Sequence, residues 1–299
     1  MSSWDLFVLD LDGTLLGRDG TVSDVNRQAI AHLQSQQIDV LIATGRTRNE
    51  TMHLLDAIEY QGALIGAGGA ILVDSTDGRT IHRHAIDPSL VREAVGTVHA
   101  EGHAALVLKD HHAAGYDYLL VGSPDADETS RLHPVSQWWM DSMDISCRWV
   151  DRLEDDPHPG DTLRVSSVGE AHLLEPMTSR MRSTLGSRLH LQQWAAVTSS
   201  HATGSDVHIL ELFAHGVDKW PMIEFYCREA GHDPRRVVAI GDGLNDVGML
   251  RSAGLGVAMG NAEDNVQAVA DELTDHHDDD GVATAIHRLV PGSTAEGGS

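Results

Sequence analysis

Lysine is nearly absent from this 299-residue chain. Lys109 and Lys219 are the whole set, and arginine supplies the rest of the 21 basic side chains. Against them stand 45 acidic side chains, for a formal net charge of −24. That charge repels phosphate backbones and anionic lipid, which argues against nucleic acid and membrane surfaces as partners. Each basic residue beside a site therefore becomes informative, because an anionic substrate needs local positive charge. The acid excess serves either solubility or life in a salty cytoplasm, where screening weakens self-repulsion. The second reading requires stability to rise with molar salt.

Cysteine is equally scarce. Cys147 and Cys227 form neither a zinc spacing nor a disulfide framework, and they read as free thiols of a reducing compartment. No apolar run approaches the roughly 18–20 residues that cross a bilayer. Met1–Asp12 lacks a basic n-region and a cleavage pattern, so no signal peptide is expected. No internal repeat is present. The expectation is a soluble, cytoplasmic protein of about two domains, with 41% apolar residues to build its cores.

Three apolar runs punctuate the chain in the same way. Leu6–Leu9 leads into Asp10-Leu-Asp12-Gly13, Val40–Ala43 into Thr44-Gly45-Arg46, and Val237–Ile240 into Gly241-Asp242-Gly243. Continuous aliphatic stretches of this length are strands buried on both faces. Each is followed by a turn and a helical pattern: Ser23 caps a helix carrying Val25, Ala29, Ile30 and Leu33; Thr47 precedes Met52, Leu55 and Ile58; Asp246–Leu250 is closed by Gly254. Alternating strands and helices predict an α/β fold with an open parallel sheet, whose ligands gather at the carboxyl ends of the strands. Asp10, Thr44 and Asp242 thus fall on one edge of one sheet. From residue 85 to 213 the pattern changes to alternating strands and separate helices. This predicts an α+β domain inserted between 1–84 and 214–299. The tail from Pro291 to Ser299 is small and polar and is expected to fray.

The chemistry-bearing residues cluster at those turns. Asp10 and Asp12 share a face if the strand stays regular, and two carboxylates so close repel unless a cation or proton lies between them. An Asp-Gly turn accounts for Asp12 but not for Asp10, an acid at the end of a buried strand. Asp242 and Asp246 form a second acidic cluster; a helix N-terminus accounts for Asp246 but not for Asp242. Brought together, these oxygens suit Mg²⁺, a hard cation that often bridges a substrate phosphate. Thr44-Gly45 offers a hydroxyl and a backbone N–H to an oxyanion, or an ordinary helix cap. Lys219 opens a helix, the end where a cation is electrostatically misplaced, so either it is an exposed surface lysine or it faces something negative.

These residues resemble, in order, the four motifs of the haloacid dehalogenase-like hydrolases: Asp10-Leu-Asp12-Gly13-Thr14, Ile42-Ala-Thr44-Gly45-Arg46, Gly216-Val-Asp-Lys219 and Gly241-Asp-Gly-Leu-Asn-Asp246. The long insert, with Gly254-Leu-Gly-Val-Ala-Met-Gly-Asn-Ala262 and Gly281-Val282, is similar to the Cof-type subclass IIB. The resemblance implies a Rossmann-like parallel sheet core with helices on both faces and a type C2B α+β cap. It implies a Mg²⁺-dependent phosphatase of small phosphorylated metabolites, sugar phosphates foremost, with Asp10 as nucleophile and Asp12 as general acid and base. It further implies that Lys219 neutralises the nucleophile and phosphoryl group. Thr44, Gly45, Gly13 and Asn245 would support the phosphate. Asp10, Asp12 through its carbonyl, Asp242 and Asp246 would place the metal. A sugar phosphomutase of the same family, or a non-catalytic metabolite-binding relative, are the alternatives. The oligomeric state is expected to be monomer or homodimer.

Two positions depart from the family pattern. Gly68 stands where the subclass carries asparagine, and Trp220 where a small residue follows the motif lysine. In the insert, Lys109, His111, His112, Tyr116, Tyr118 and Arg164 are candidate readers of the leaving group. Trp138, Trp139 and Trp149 suit either packing or stacking on a sugar. His111-His112 and His276-His277 lack a third ligand at useful spacing, and Asp278–Asp280 reads as a solvated loop.

Overall fold

The computed structural model describes residues 3–121, 132–196 and 205–291; the expected fraying beyond Pro291 lies outside them. The chain divides into two compact units. One comprises Met1–Arg46, Thr51–Gly69 and Asp218–Ser299; the other comprises Thr47–Glu50 and Ala70–Val217.

The first unit opens with β1 (Leu6–Leu9), α1 (Asp24–Ser35), β2 (Asp39–Ala43), α2 (Arg48–Ala57, whose first turn falls in the other unit) and β3 (Ala63–Gly66). In the second unit β4 (Ile71–Asp74) and β5 (Thr80–Arg83) pair antiparallel. Next come α3 (Pro88–Ala100), β6 (Leu106–Lys109), α4 (His111–Ala114), β7 (Tyr118–Val121), α5 (Pro134–Ser142) and β8 (Cys147–Val150). β9 (Thr162–Glu170), α6 (Ala171–Leu185), β10 (Leu189–Ala195) and β11 (Val207–Ala214) complete that unit. The chain then returns to the first unit with α7 (Lys219–Ala230), β12 (Val237–Gly241), α8 (Val247–Ser252), β13 (Leu255–Ala258), α9 (Asp264–Gln267), β14 (Glu272–Leu273) and α10 (Gly281–Leu289).

In the first unit the strands lie in the order β14-β13-β12-β1-β2-β3, and every one of these pairs is parallel. β1 is central, with Leu6 opposite both Val237 and Asp39, and all four of its residues are fully buried. That explains its unbroken apolar run: helices cover both faces of the sheet. The central strands β1, β2 and β12 end where the acidic and threonine turns begin. Ser23 caps α1 by accepting from Asn26 N at 3.0 Å, while Ala29, Ile30 and Leu33 are buried. Val25, expected on the same face, is 46% exposed. It belongs to the first turn, ahead of the buried stripe.

The sheet of the second unit runs β10-β11-β9-β6-β7-β8. Val107, Leu119, Val165 and Leu212 point to one face and bury against Val91, Val95, Leu174, Met177 and Met181 of α3 and α6. Residues at alternate positions, among them Tyr118, Arg164 and Glu211, point the other way.

Candidate active site

Asp10 follows the last residue of β1, still extended (φ −73°, ψ 165°), with its N–H donating to Ile240 O at 3.1 Å. The chain then tightens into the turn Leu11–Leu15, so the strand is no longer regular at Asp12. The two acids accordingly diverge. Asp10 is 4% exposed; the Asp12 side chain is half exposed and is gripped by Arg46, whose Nε reaches Oδ2 at 2.8 Å and Nη2 reaches Oδ1 at 2.5 Å. A planar guanidinium meeting both carboxylate oxygens fixes orientation as well as charge.

Lys219 is the centre of the buried cluster. Its ammonium, fully buried, donates to Asp10 Oδ1 and Asp246 Oδ1, each at 2.6 Å. This resolves the helix-dipole anomaly: two carboxylates outweigh the unfavourable helix end. Asp218 caps α7 by accepting from Trp220 N at 3.2 Å, which starts the helix with Lys219 turned inward, and Trp220 is half-buried. Asp246 Oδ2 accepts from Asp242 N at 3.0 Å and Gly243 N at 2.9 Å, so its carboxylate shapes the turn that presents Asp242. Asp242 is held by Thr14 Oγ1 at 3.0 Å on Oδ1. Carboxylate oxygens of Asp10, Asp242 and Asp246 lie within 4.8 Å of one another.

Gly13 makes this approach possible. Its φ is +75°, and a Cβ there would come within 2.2 Å of Asp242 Oδ2. Thr44, at the end of β2, is fully buried and its Oγ1 accepts from Arg46 N at 3.1 Å. Asn245 Nδ2 lies 3.9 Å from where a Cβ on Gly45 would sit. Gly68 has φ +64° and donates its N–H to Thr44 O at 3.0 Å. Asparagine and glycine both tolerate that left-handed conformation; the substitution keeps the backbone and removes an amide.

The electrostatics are unbalanced. Burial, then repulsion from Asp246, raises the Asp10 pKa well above the ordinary carboxylate value. Burial and Asp246 likewise push Asp242 up to about 6. Burial opposes the charged form of Lys219, but Asp10 and Asp246 outweigh it and its pKa rises. Three crowded carboxylates share one ammonium, and the surplus negative charge is what a divalent cation neutralises. An all-oxygen donor set of this kind fits a hard ion such as Mg²⁺.

The candidate readers in the second unit are largely committed. Lys109 Nζ, fully buried, donates to Asp156 Oδ2 (2.5 Å), Thr162 Oγ1 (2.7 Å) and His158 O (3.0 Å). Arg164 pairs with Glu211 Oε1 at 2.5 Å and donates to the Tyr118 hydroxyl at 2.6 Å. His111 Nδ1 lies 3.1 Å from Asp117 Oδ1, and His112 is exposed. Tyr116 is buried, its hydroxyl without a hydrogen-bond partner among the described residues. Trp139 Nε1 donates to Glu50 Oε1 at 2.7 Å, Trp138 meets it edge-on, and Trp149 is half-buried.

Two expectations for the C-terminal region need correction. Asp278 does bring a third ligand-type group within 4.8 Å of His276 and His277. However, His276 Nδ1 is taken by Asp278 N and His277 Nδ1 by Leu16 O. Nor are Asp278 and Asp280 merely solvated: Asp278 accepts from Arg18 N at 2.8 Å and Asp280 from Ser23 Oγ at 2.5 Å. Residues 276–280 brace the loop that follows the Leu11–Leu15 turn. Sequence reasoning gave no role to Arg46, Thr14 or Asn261. Only their places within quoted motifs could have flagged them.

A family model of haloacid dehalogenase-like hydrolases matches residues 7–286. The 5-amino-6-(5-phospho-D-ribitylamino)uracil phosphatase YcsE of Bacillus subtilis is 28% identical over 285 residues, covering 95% of each chain. An HMP-PP phosphatase of Enterobacter sp. is 27% identical over 258 residues, covering 86% of this chain and 84% of its own. A solved haloacid dehalogenase-like hydrolase from Bacteroides thetaiotaomicron has a TM-score of 0.77 and 27% identity, covering 96% of this chain and 99% of that one. With four motifs in order, an α/β core and an inserted α+β cap, the chain belongs to the haloacid dehalogenase-like hydrolases.

Proposed function

We propose that the protein is a Mg²⁺-dependent phosphoric monoester hydrolase of small phosphorylated metabolites, with sugar phosphates as the substrate class. The observation that carries this reading is the buried Lys219 bridging Asp10 and Asp246 beside Asp242. The relatives named as phosphatases support the reaction class, and the phosphoribityl group in the name of one supports a polyol or sugar phosphate.

Asp10 is the nucleophile. Lys219 occupies Oδ1, leaving Oδ2 to attack phosphorus. The P–O bond to the leaving alkoxide breaks as Asp12, protonated once it has swung off Arg46, gives that oxygen a proton, and Asp10 becomes an aspartyl-phosphate. Asp12, now a carboxylate, takes a proton from water; the water oxygen bonds to phosphorus and the Asp10–phosphorus bond breaks, freeing inorganic phosphate. Arg46 steers Asp12, and Thr44, Gly45, Gly13 and Asn245 support the phosphoryl oxygens. Asp10, the Asp12 carbonyl and Asp242 would hold Mg²⁺, with Asp246 supporting Asp242; the ion supplies charge neutralisation. Two free thiols, Cys147 and Cys227, and the absence of a membrane-length helix among the described residues fit a cytoplasmic setting.

The test is phosphate release from a panel of phosphorylated metabolites under Mg²⁺, with Asp10→Asn as control. Release that the substitution abolishes is expected; no release from any ester rejects the reading. Interconversion of hexose 1- and 6-phosphates without net release would select the phosphomutase alternative.

A further inference from the structure

Asn261 lies in the loop after β13, outside every residue set assigned above, yet it touches the site twice. Its Nδ2 donates to Gly13 O at 2.8 Å and to Asp242 Oδ2 at 3.2 Å. Its Oδ1 accepts from His277 N at 3.0 Å. The amide orientation follows from chemistry: the reverse assignment would set its oxygen against two acceptors and its NH₂ against a backbone N–H. One side chain thereby joins three segments distant in sequence. These are the turn after the nucleophile, the turn carrying Asp242, and the turn at residues 276–280.

Asp242 is gripped on both oxygens, by Thr14 Oγ1 on Oδ1 and by Asn261 Nδ2 on Oδ2. Two donors on opposite oxygens fix the plane of a carboxylate, whereas one leaves it free to swing. The contact with Gly13 O ties that plane to the same turn from which Asp12 projects. His277 adds a second tie to this stretch, with Nδ1 2.7 Å from Leu16 O, so the N–H donor that orients Asn261 sits on a segment that is itself anchored beside the nucleophile turn.

We propose that Asn261 is a positioning residue that sets the Asp242 carboxylate, and the nucleophile turn with it, for the divalent ion. The inference rests on the Mg²⁺-dependent reading of the site. A half-buried Asn–carboxylate contact also serves stability, so the test must read something a merely structural role would not move. Partners of metal ligands typically change metal affinity or activity by about 10–100-fold when removed.

The experiment is titration of the substrate-free protein with Mn²⁺, read by electron paramagnetic resonance, and with MgCl₂ by calorimetry, for wild type and Asn261→Ala. Melting temperature and turnover of an aryl phosphate are measured alongside. The expected result is metal affinity about tenfold weaker and kcat about tenfold lower, with KM changed less than twofold. Should Asn261→Ala not fold, Asn261→Ser keeps a hydroxyl donor on a shorter arm and should show a smaller loss of the same kind. A second check is Thr14→Val combined with the Asn261 variant: two donors on one carboxylate should give non-additive losses in metal affinity. A lower melting temperature with unchanged metal affinity and kcat, in whichever variant folds, overturns the proposal. If wild type itself binds neither metal and releases no phosphate, it is the Mg²⁺-dependent reading that fails. If wild type binds metal and the variants bind it equally, only the role of Asn261 fails.

Discussion

The chain's two lysines are both fully buried, in different units, and their surroundings could hardly differ more. Lys109 has one carboxylate, Asp156, and completes its donor set with a hydroxyl and a carbonyl. Its charge is matched and its three N–H groups are spent. Lys219 has two carboxylates at 2.6 Å and a third, Asp242, beside them. A matched pair is a stable structural fixture, whereas a deficit of positive charge leaves work for a ligand. Arg164 follows Lys109: it is paired with Glu211 and Tyr118 in the interior of the second unit.

The sharpest way to break this contrast is to remove each lysine. Lys219→Met should lower kcat at least about 10²-fold, the scale for losing a preorganised electrostatic group, measured by phosphate release at saturating substrate. Lys109→Met should leave Asp156 buried without its cation and cost about 3–5 kcal/mol of stability, read by urea denaturation, with KM of the folded enzyme unchanged. If instead KM rose several-fold at unchanged stability, Lys109 would be a reader of substrate and the contrast would dissolve.

Charge surplus also predicts a pH dependence. Asp242 titrates near 6 in the folded protein against an ordinary 3.8, and Asp10 is raised in the same direction. The folded state therefore holds these protons more tightly than the unfolded state. Their contribution favours folding at low pH and is lost as pH rises from about 4 to 6, by about 3 kcal/mol for Asp242 alone. Added Mg²⁺ should reverse the loss, because binding to the folded state stabilises it. The gain in melting temperature on adding millimolar Mg²⁺ to chelator-treated protein should be larger at pH 7.5 than at pH 5. Equal gains at both values would show that the acids are not strained.

The site in the first unit was more legible than the second unit because its physics is local. A strand buried on both faces must be apolar throughout, so an acid at its end is conspicuous, as Asp10 is. A lysine at the wrong end of a helix is conspicuous for the same reason. Arg46 was harder: nothing in the order Thr-Gly-Arg says that its guanidinium turns back to Asp12, 34 positions earlier. Asn261 was harder still, with one partner 248 positions away. In the second unit Lys109 and Arg164 looked like candidate readers because composition cannot distinguish a basic residue that awaits a ligand from one already neutralised inside a sheet.

The smallest effect concerns Trp139, which sequence reasoning left between packing and stacking on a sugar. Its indole N–H donates to Glu50 Oε1 at 2.7 Å, and Glu50 is 2% exposed. A buried carboxylate needs its donors: Glu50 has this one and the Thr47 N–H at 2.6 Å. Trp139→Phe retains most of the apolar surface and deletes only the donor, so it should cost about 1.5–3 kcal/mol, the range for a hydrogen bond to a charged group. Chemical denaturation measures that cost, and KM for the best substrate on the panel should stay within about twofold. Stacking makes the opposite prediction. A phenyl ring offers less face than an indole, so KM would rise while stability held, and the indole would then belong with the substrate rather than with the buried ionic fabric of the second unit.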